Sequence, residues 1–547
     1  MNSLKPMLLT SLKSYDRSQF VKDVTAGIIV AIIALPLSIA LALASGVGPE
    51  AGIFTAIVAG FVISALGGSS VQIAGPTAAF ATIVAGIVAK DGLDGLVIST
   101  ILAGIFLILM GFCHFGSLIK FIPYTITTGF TSGIAVTIVI GQLKDFFGIT
   151  YPDGVKPIET TEKFKAFAEN ISTINTDALI VGIVSLAILI ISPMLLKRIP
   201  GSLIAVIAGS LMVQFLPLKV STIGNLYTIS NSLPSFHLPE VNVQIVQNAI
   251  PNAFTIAVLA AIESLLSCVV ADGMINGKHR SDMELVAQGA GNIASALFGG
   301  IPATGAIART AANIKNGGRT PVAGIVHSVT LVIVLVVLMP FAGMIPMPTI
   351  AAILFIVAYN MCQWRTFTHL MRTAPKSDII VLFTTFLLTI LFDLVVAIEI
   401  GMVLACLLFI KRMSEETHVD SWVYVDDDTP DVDEQLKELP LQIRVYEITG
   451  PLFFGAADAI EHIVVKDFTR CLVLRMRSVP AIDSTAMNAL FNLTKVCENK
   501  GITLVFSHVN KQPLNVMKKS GFVDLVGREN FCPNISAALK HAEELIQ

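Results

Sequence analysis

Glu263 stands alone in an apolar run, Ala261-Ile-Glu-Ser-Leu-Leu266, with no cation beside it in sequence. An ionised carboxylate in such a setting is expensive, so it must find a cation or hold a proton. Three chemistries are open to it: carrying a coupled proton, pairing with Arg309, or binding sodium together with Ser264 and Ser267. Arg309 poses the complementary problem. It lies in Gly299-Gly-Ile-Pro-Ala-Thr-Gly-Ala-Ile-Ala-Arg-Thr-Ala-Ala-Asn313, a stretch too broken by glycine and proline to be an ordinary membrane span. Its charge is permanent, so it must face protein, water or a ligand; it supplies a positive field to an anion or holds backbone carbonyls in place. A second broken stretch, Ile73-Ala-Gly-Pro-Thr-Ala-Ala-Phe80, lies far upstream. Two such pieces in corresponding positions of two halves mark the binding site of a secondary transporter. Half-helices ending inside a membrane aim unpaired N–H groups and a partial positive charge at one spot, which suits an anion. Gly75, Pro76 and Thr77 are expected to open the first half-helix, with the proline in its first turn, and Gly305, Ala306, Ile307 and Ala308 the second. No Ser/His/Asp set, phosphate loop or metal-ligand spacing accompanies them, so no enzyme, cofactor or metal site is expected.

The elements that must position these residues are membrane spans. Only 14% of the residues are charged against about 25% in soluble domains, and mean hydropathy is +0.77, so lipid rather than water surrounds most of the chain. The net charge of −3 gives no reason to expect nucleic acid. The 7 cysteines are scattered without a CxxC pair, and read as small hydrophobes. Apolar runs place spans near 24–45, 50–66, 93–112, 122–143, 178–195, 200–216, 250–271, 283–299, 321–342, 348–363, 376–392 and 394–410. With the broken pieces near 75–89 and 304–315 the expectation is about fourteen spans. Pro36, in Ala34-Leu-Pro-Leu-Ser-Ile-Ala-Leu41, should kink the first. Lys13, Arg17, Lys22, Lys197, Arg198, Lys278, His279, Arg280, Lys315, Arg319, Arg365, Arg372, Lys411 and Arg412 then fall on one side, the cytoplasmic one. Gln142, Lys144 and Asp145 read as an interfacial anchor, and Asp272 and Asn292 as helix–helix ties. The domains expected are a cytoplasmic segment 1–23, a transmembrane domain 24–412, an acidic linker 413–438 and a soluble α/β domain 439–547. In the last, Leu441–Ile448, Cys471–Met476 and Ile502–Phe506 read as strands and Thr485–Lys500, Gln512–Ser520 and Asn534–Ile546 as helices, with Asp483 as an N-cap.

Five stretches carry a resemblance: Gly75-Pro-Thr-Ala-Ala-Phe80, Ala261-Ile-Glu-Ser-Leu-Leu266, Gln288-Gly-Ala-Gly-Asn292, Ile307-Ala-Arg-Thr-Ala-Ala-Asn313 and Ile482-Asp-Ser-Thr485. Over nearly its whole length the chain resembles the SulP anion transporters, and its C-terminal part resembles a STAS domain. Gly129-Phe-Thr-Ser-Gly-Ile134 and Gly450-Pro-Leu-Phe-Phe454 make it most similar to the bacterial C4-dicarboxylic acid transporter branch. The resemblance implies an α-helical polytopic membrane protein of two inverted seven-span repeats, divided into core and gate, with a C-terminal α/β STAS domain. It implies a homodimer in the bacterial cytoplasmic membrane, with the N-terminus and STAS domain cytoplasmic, and an elevator-like motion. The implied function is uptake of succinate, fumarate or aspartate with protons; a sulfate or bicarbonate permease, or a STAS-centred regulatory scaffold, is the alternative. Substrate contacts are implied at Leu37, Leu41, Thr77, Ala78, Ala306, Ile307, Ala308 and Arg309, and coupling to a proton or sodium at Glu263. Many relatives carry a glutamine at the position of Leu37 and an aromatic residue near Leu41; leucines there suit the carbon chain of an organic anion. The branch also implies acyl carrier protein as a partner of the STAS domain. In stand-alone STAS proteins a serine or threonine at the position of Ser484 or Thr485 is phosphorylated; here helix capping by Asp483 is the plainer expectation.

Overall fold

The computed structural model describes residues 4–117, 123–152, 155, 157–195, 200–230, 232–239, 242–392, 394–421, 439–456, 460, 463 and 468–547. The chain divides into two compact units, Met1–Met402 and Val403–Gln547.

In the first unit two helices, α1 (Arg17–Ala44) and α2 (Pro49–Leu66), precede a short extended strand, β1 (Ala74–Gly75). It runs into α3 (Ala78–Phe112), which is two helices joined at Gly92, where φ is 72°, a value glycine takes freely. Next come α4 (Tyr124–Phe147), α5 (Thr160–Glu169), α6 (Thr176–Leu195) and α7 (Gly201–Phe215). The second half repeats the order: α8 (Val243–Ile275), α9 (Ser281–Leu297), β2 (Thr304–Gly305), α10 (Ile307–Lys315), α11 (Val322–Ala342), α12 (Met347–Cys362), α13 (Trp364–Thr373), α14 (Lys376–Leu391) and α15 (Leu394–Glu415). Among the described residues eight helices are long and apolar enough to cross a membrane. Helices cover the expected apolar runs, and some run on past them into polar turns, as α8 and α15 do. Pro36 lies inside an unbroken α1. Two segments that read as loops hold helices. A capping box at Glu159 starts α5, and α13 carries Arg365 and Arg372 with no buried residue, so neither forms an apolar run.

Helices pack mainly within two groups, which also touch one another through α1 and α12, α1 and α7, and α3 and α4. In one, α11 lies on α1 and α2, α9 on α2 and α3, and α8 on α3; in the other, α4 packs on α12 and α14, and α6 on α7 and α12. Close approach depends on small residues: at the α3–α9 crossing a Cβ on Gly104 would overlap the Gly289 carbonyl, and one on Gly289 the Gly104 carbonyl. The paired β1 and β2 lie with the first group, touching α2 and α8 respectively.

The second unit holds a five-stranded sheet in the order β3 (His418–Ser421), β4 (Ile443–Thr449), β5 (Cys471–Ser478), β6 (Thr503–Ser507), β7 (Phe531–Cys532), parallel except for β3. The edge strand β3 comes from the stretch expected to be linker, because its alternating His-Val-Asp-Ser pairs with Thr449–Tyr446; residues 413–415 of that expected linker end α15, and 422–438 lie outside the described residues. Side chains alternate across the sheet. Leu472, Leu474, Met476, Leu504 and Phe506 meet α16 (Ser484–Asn499) through Met487, Leu490 and Leu493. Ile443, Val445, Val473 and Val505 meet α18 (Ile535–Ile546) through Ala538, Leu539 and Ala542, while α17 (Lys511–Lys519) places Met517 in the first layer. Burial pushes the Cys471 thiol up to about 12 and the Cys497 thiol to about 11, so both are packing groups rather than nucleophiles. Asp483 caps α16 by accepting from Ala486 N at 2.9 Å, and its other oxygen accepts from Phe454 N at 2.9 Å. Asp483→Ala should destabilise this unit by about 1–2 kcal/mol, read as earlier loss of amide-exchange protection in α16 of the full-length protein. Unchanged protection would show that neither bond matters.

Candidate functional site

The two broken stretches meet. Ala74 pairs with Gly305 and Gly75 with Thr304 in an antiparallel register, and Ala306 N donates to Ile73 O at 2.9 Å. Each strand runs directly into a helix, so the antiparallel crossing sends α3 and α10 away in opposite directions and brings their N-termini together. Thr77 and Ala306, both extended, are the N-cap positions. This corrects the expected starts: Pro76 precedes the N-cap instead of occupying the first turn, and Gly305 belongs to the strand. Proline holds φ near the extended range and disfavours helix in the residue before it, which keeps Gly75 in the strand.

Extended backbone inside a helical bundle needs partners for its polar groups, and side chains supply them. Asn292 grips Ala303 from both sides, its Oδ1 accepting from Ala303 N at 2.8 Å and its Nδ2 donating to Ala303 O at 2.9 Å. Thr55 accepts from Ile301 N at 2.7 Å, and Ser295 donates to Ile301 O at 2.8 Å. On the other strand Ile73 N donates to Thr310 Oγ1 at 3.0 Å, and Asn313 Nδ2 to Val71 O at 2.9 Å. Helix α8 adds Ser264, which accepts from Gly305 N at 3.1 Å and exchanges a hydrogen bond with Thr304 at 2.7 Å, and Ser267, which donates to Thr310 at 3.4 Å. Both serines suggested by the sequence as sodium ligands therefore tie α8 to the second broken stretch. Asp272 is a tie at the end of α8, accepting from His279 N and Nδ1 at 2.9 and 2.7 Å.

Neither helix start is capped by a side chain. Instead of capping α3, the Thr77 hydroxyl donates to Glu263 Oε2 at 2.8 Å. Glu263 is partly exposed and forms no ion pair with Arg309 among the described residues. Arg309 is 3% exposed. Its Nη2 donates over long distances to Pro76 O at 3.2 Å and Ser38 Oγ at 3.3 Å; its Nη1 has no partner among the described residues. The guanidinium packs against Gly75, where a Cβ would overlap Nη1. The arrangement is thus an underused guanidinium beside two uncapped helix N-termini, with a carboxyl across from them.

The other expected contacts divide by exposure. Thr77 and Leu37 are partly exposed, and Ile307 (42%) and Ala308 are exposed between the buried Ala306 and Arg309. Ala78 is buried at the start of α3, and Leu41 is 4% exposed, turned into the bundle one helical turn beyond Leu37. The accessible apolar residues among the expected contacts are therefore Leu37, Ile307 and Ala308, while Leu41 is buried. Sequence reading misses Ser38, Gln72, Glu284 and His327. The last three are visible as polar residues inside or beside apolar runs. His327 on α11 is fully buried, with neither ring nitrogen partnered among the described residues.

The sequence profile of the sulfate permease family matches residues 20–385, and that of the STAS domain residues 436–538. The putative sulfate transporter YvdB of Bacillus subtilis is 38% identical over 95% of this chain and 97% of its own length. The bicarbonate transporter BicA of Picosynechococcus is 33% identical over 86% of this chain and 85% of its own. The solved transmembrane domain of a cyanobacterial BicA covers 72% of this chain and 98% of itself, at 28% identity and a TM-score of 0.63. The murine solute carrier 26 family member A9 anion transporter, in its inward-facing state, covers 99% of this chain and 94% of itself at 19% identity and a TM-score of 0.87, a likeness of fold.

Proposed function

Because the chain belongs to the SulP sulfate permease family, a family of multi-pass membrane transporters of small anions and not of enzymes, we propose that it is a secondary transporter of C4-dicarboxylates such as succinate, fumarate and aspartate, coupled to protons. The observation that carries the anion site is Arg309 Nη1, buried and without a partner among the described residues, beside the uncapped starts of α3 and α10. A carboxylate there accepts from the guanidinium and the free amides of the first turns. The dicarboxylate reading rests on the accessible apolar residues among the expected contacts. Leu37, Ile307 and Ala308 offer methylenes a surface but give an inorganic oxyanion no hydrogen bond. A second reading, bicarbonate or sulfate as substrate, is favoured by what the relatives are named for.

Leu37→Gln separates the two. On the dicarboxylate reading it weakens succinate uptake about tenfold, in line with loss of one well-packed apolar contact, and improves competition by sulfate or bicarbonate. The measurement is labelled succinate uptake into proteoliposomes, competed by each anion. Equal competition by succinate and sulfate in the wild type, with Leu37→Gln silent, would transfer the proposal to the inorganic anions. The same reading makes Glu263 the proton site, moves the first helical group as a unit against the second, and places the N-terminus and STAS domain in the bacterial cytoplasm. It includes a homodimer and binding of acyl carrier protein to the STAS domain.

A further inference from the structure

Glu284, on α9, has no exposed surface, and four N–H groups converge on it. Gly68 N and Ser69 N donate to Oε2 at 2.9 and 3.1 Å; Gln72 Nε2 and Gln288 Nε2 donate to Oε1 at 2.7 and 2.9 Å. Only a carboxylate accepts from all four, since an amide would turn its own NH₂ toward two of them. The consequence falls on Gln72. Its Oε1 accepts from the Cys268 thiol of α8 at 2.9 Å, so its amide is held at both ends. That amide lies flat against Gly305 of β2, so closely that a Cβ on Gly305 would overlap it. One residue on, the Ile73 carbonyl takes the N–H of Ala306, the N-cap of α10.

We infer that Glu284 and Gln72 are positioning residues for the anion: the carboxylate orients the Gln72 amide, which seats Gly305 and so aims the free amides of Ile307 and Ala308. The inference rests on the reading of the crossed strands as the anion site. It accounts for a buried charge that forms no ion pair among the described residues, and for a glycine at position 305 whose backbone angles alone do not demand one.

The test is a swap. Glu284→Gln sets an NH₂ against donors, and Gln72→Glu sets two carboxylates together. In the double variant the charge is retained and the bonds can re-form. The amide now carried at position 284 would accept from Gly68 and Ser69 and donate to the carboxylate now carried at position 72, which still accepts from Cys268. Gln288, whose Oε1 has no partner among the described residues, can turn to meet the second N–H. KM and Vmax are measured with labelled succinate and, in parallel, labelled sulfate, on protein that elutes as the wild type does. Each single variant should raise KM about tenfold or more, as expected for a charged hydrogen bond lost, and the double should return to within about threefold of wild type. Gly305→Ala, which displaces the Gln72 amide without altering Glu284, should also raise KM and covers the case in which a single variant fails to fold. Singles with wild-type KM, or a double whose defect is the sum of the two, overturn the inference. Arg309→Ala run alongside tells the two readings apart. If it raises KM while the Glu284 and Gln72 variants do not, only the positioning role fails; if it too is silent, the anion site lies elsewhere and the inference falls with it.

Discussion

Arg309→Ala is expected to cut anion uptake by about a hundredfold or more while the protein still folds, because a buried guanidinium that faces a ligand contributes roughly 3 kcal/mol or more to holding it. Folding should survive because Arg309 makes so little use of its donors within the protein: two long bonds from Nη2, to Pro76 O and Ser38, and none from Nη1 among the described residues. An arginine kept only to hold carbonyls would instead be saturated. Lysine in its place keeps the charge but loses the planar fork, so Arg309→Lys should keep a fraction of the uptake with a raised KM. The checks are initial rates in proteoliposomes and thermal unfolding in detergent. A variant that transports at the wild-type rate but melts early would assign Arg309 to the scaffold alone.

The second large effect concerns coupling. Glu263→Gln should leave anion binding measurable while removing the dependence of uptake on pH. Glu263 is held by the Thr77 hydroxyl and has no cation partner among the described residues, so its charge is best tolerated when water or a proton reaches it. If it binds the proton that enters with the anion, wild-type uptake rises as the external pH falls. Glutamine is neutral at every pH, so the profile of the variant becomes flat. Acid-stimulated uptake persisting in Glu263→Gln sinks the proton role. Wild-type uptake that follows sodium and ignores pH would make the carboxylate a cation ligand, even though Ser264 and Ser267 are engaged with Thr304, Gly305 and Thr310.

The sequence carries the broken stretches plainly, because glycine and proline within an apolar run are local facts. It also carries the α/β character of the second unit, since Leu441–Ile448 alternates and Cys471–Met476 and Ile502–Phe506 are short apolar runs, all readable without any neighbour. What it does not carry is register. Nothing local says that Ala74 opposes Gly305, since that pairing is set by Asn292, Thr310 and Ser264, which reach in from other helices. Pro76 reads as a first-turn residue for the same reason: the strand that prevails over the helix lies more than two hundred residues away. Leu41 is expected at the anion only through the family resemblance; in the fold it is buried, while Leu37 one turn earlier is partly exposed. The helix α13 is missed because it is only ten residues long and its apolar face, Trp364, Phe367, Leu370 and Met371, is broken up by Arg365 and Arg372, so it does not read as an apolar run.

Since β1 and β2 pair, with Ala74 opposite Gly305, Gly75 opposite Thr304 and Ala306 N bonded to Ile73 O, the two broken helices form one piece, and on the proposed reading Arg309 and the Thr77–Glu263 contact travel with it. The piece therefore has an electrical balance of its own. Empty, with Glu263 ionised, Arg309 and Glu263 cancel, and the charge on Glu284 is the same empty or loaded. On the proton-coupled reading, a proton and a singly charged anion leave that balance unchanged, so the membrane voltage does no net work over a cycle. Loaded with a proton and a doubly charged dicarboxylate, it moves one net negative charge, worth about 2.3 kcal/mol for every 100 mV crossed. On the proton-coupled reading, uptake is thus voltage-blind to bicarbonate and voltage-sensitive to succinate.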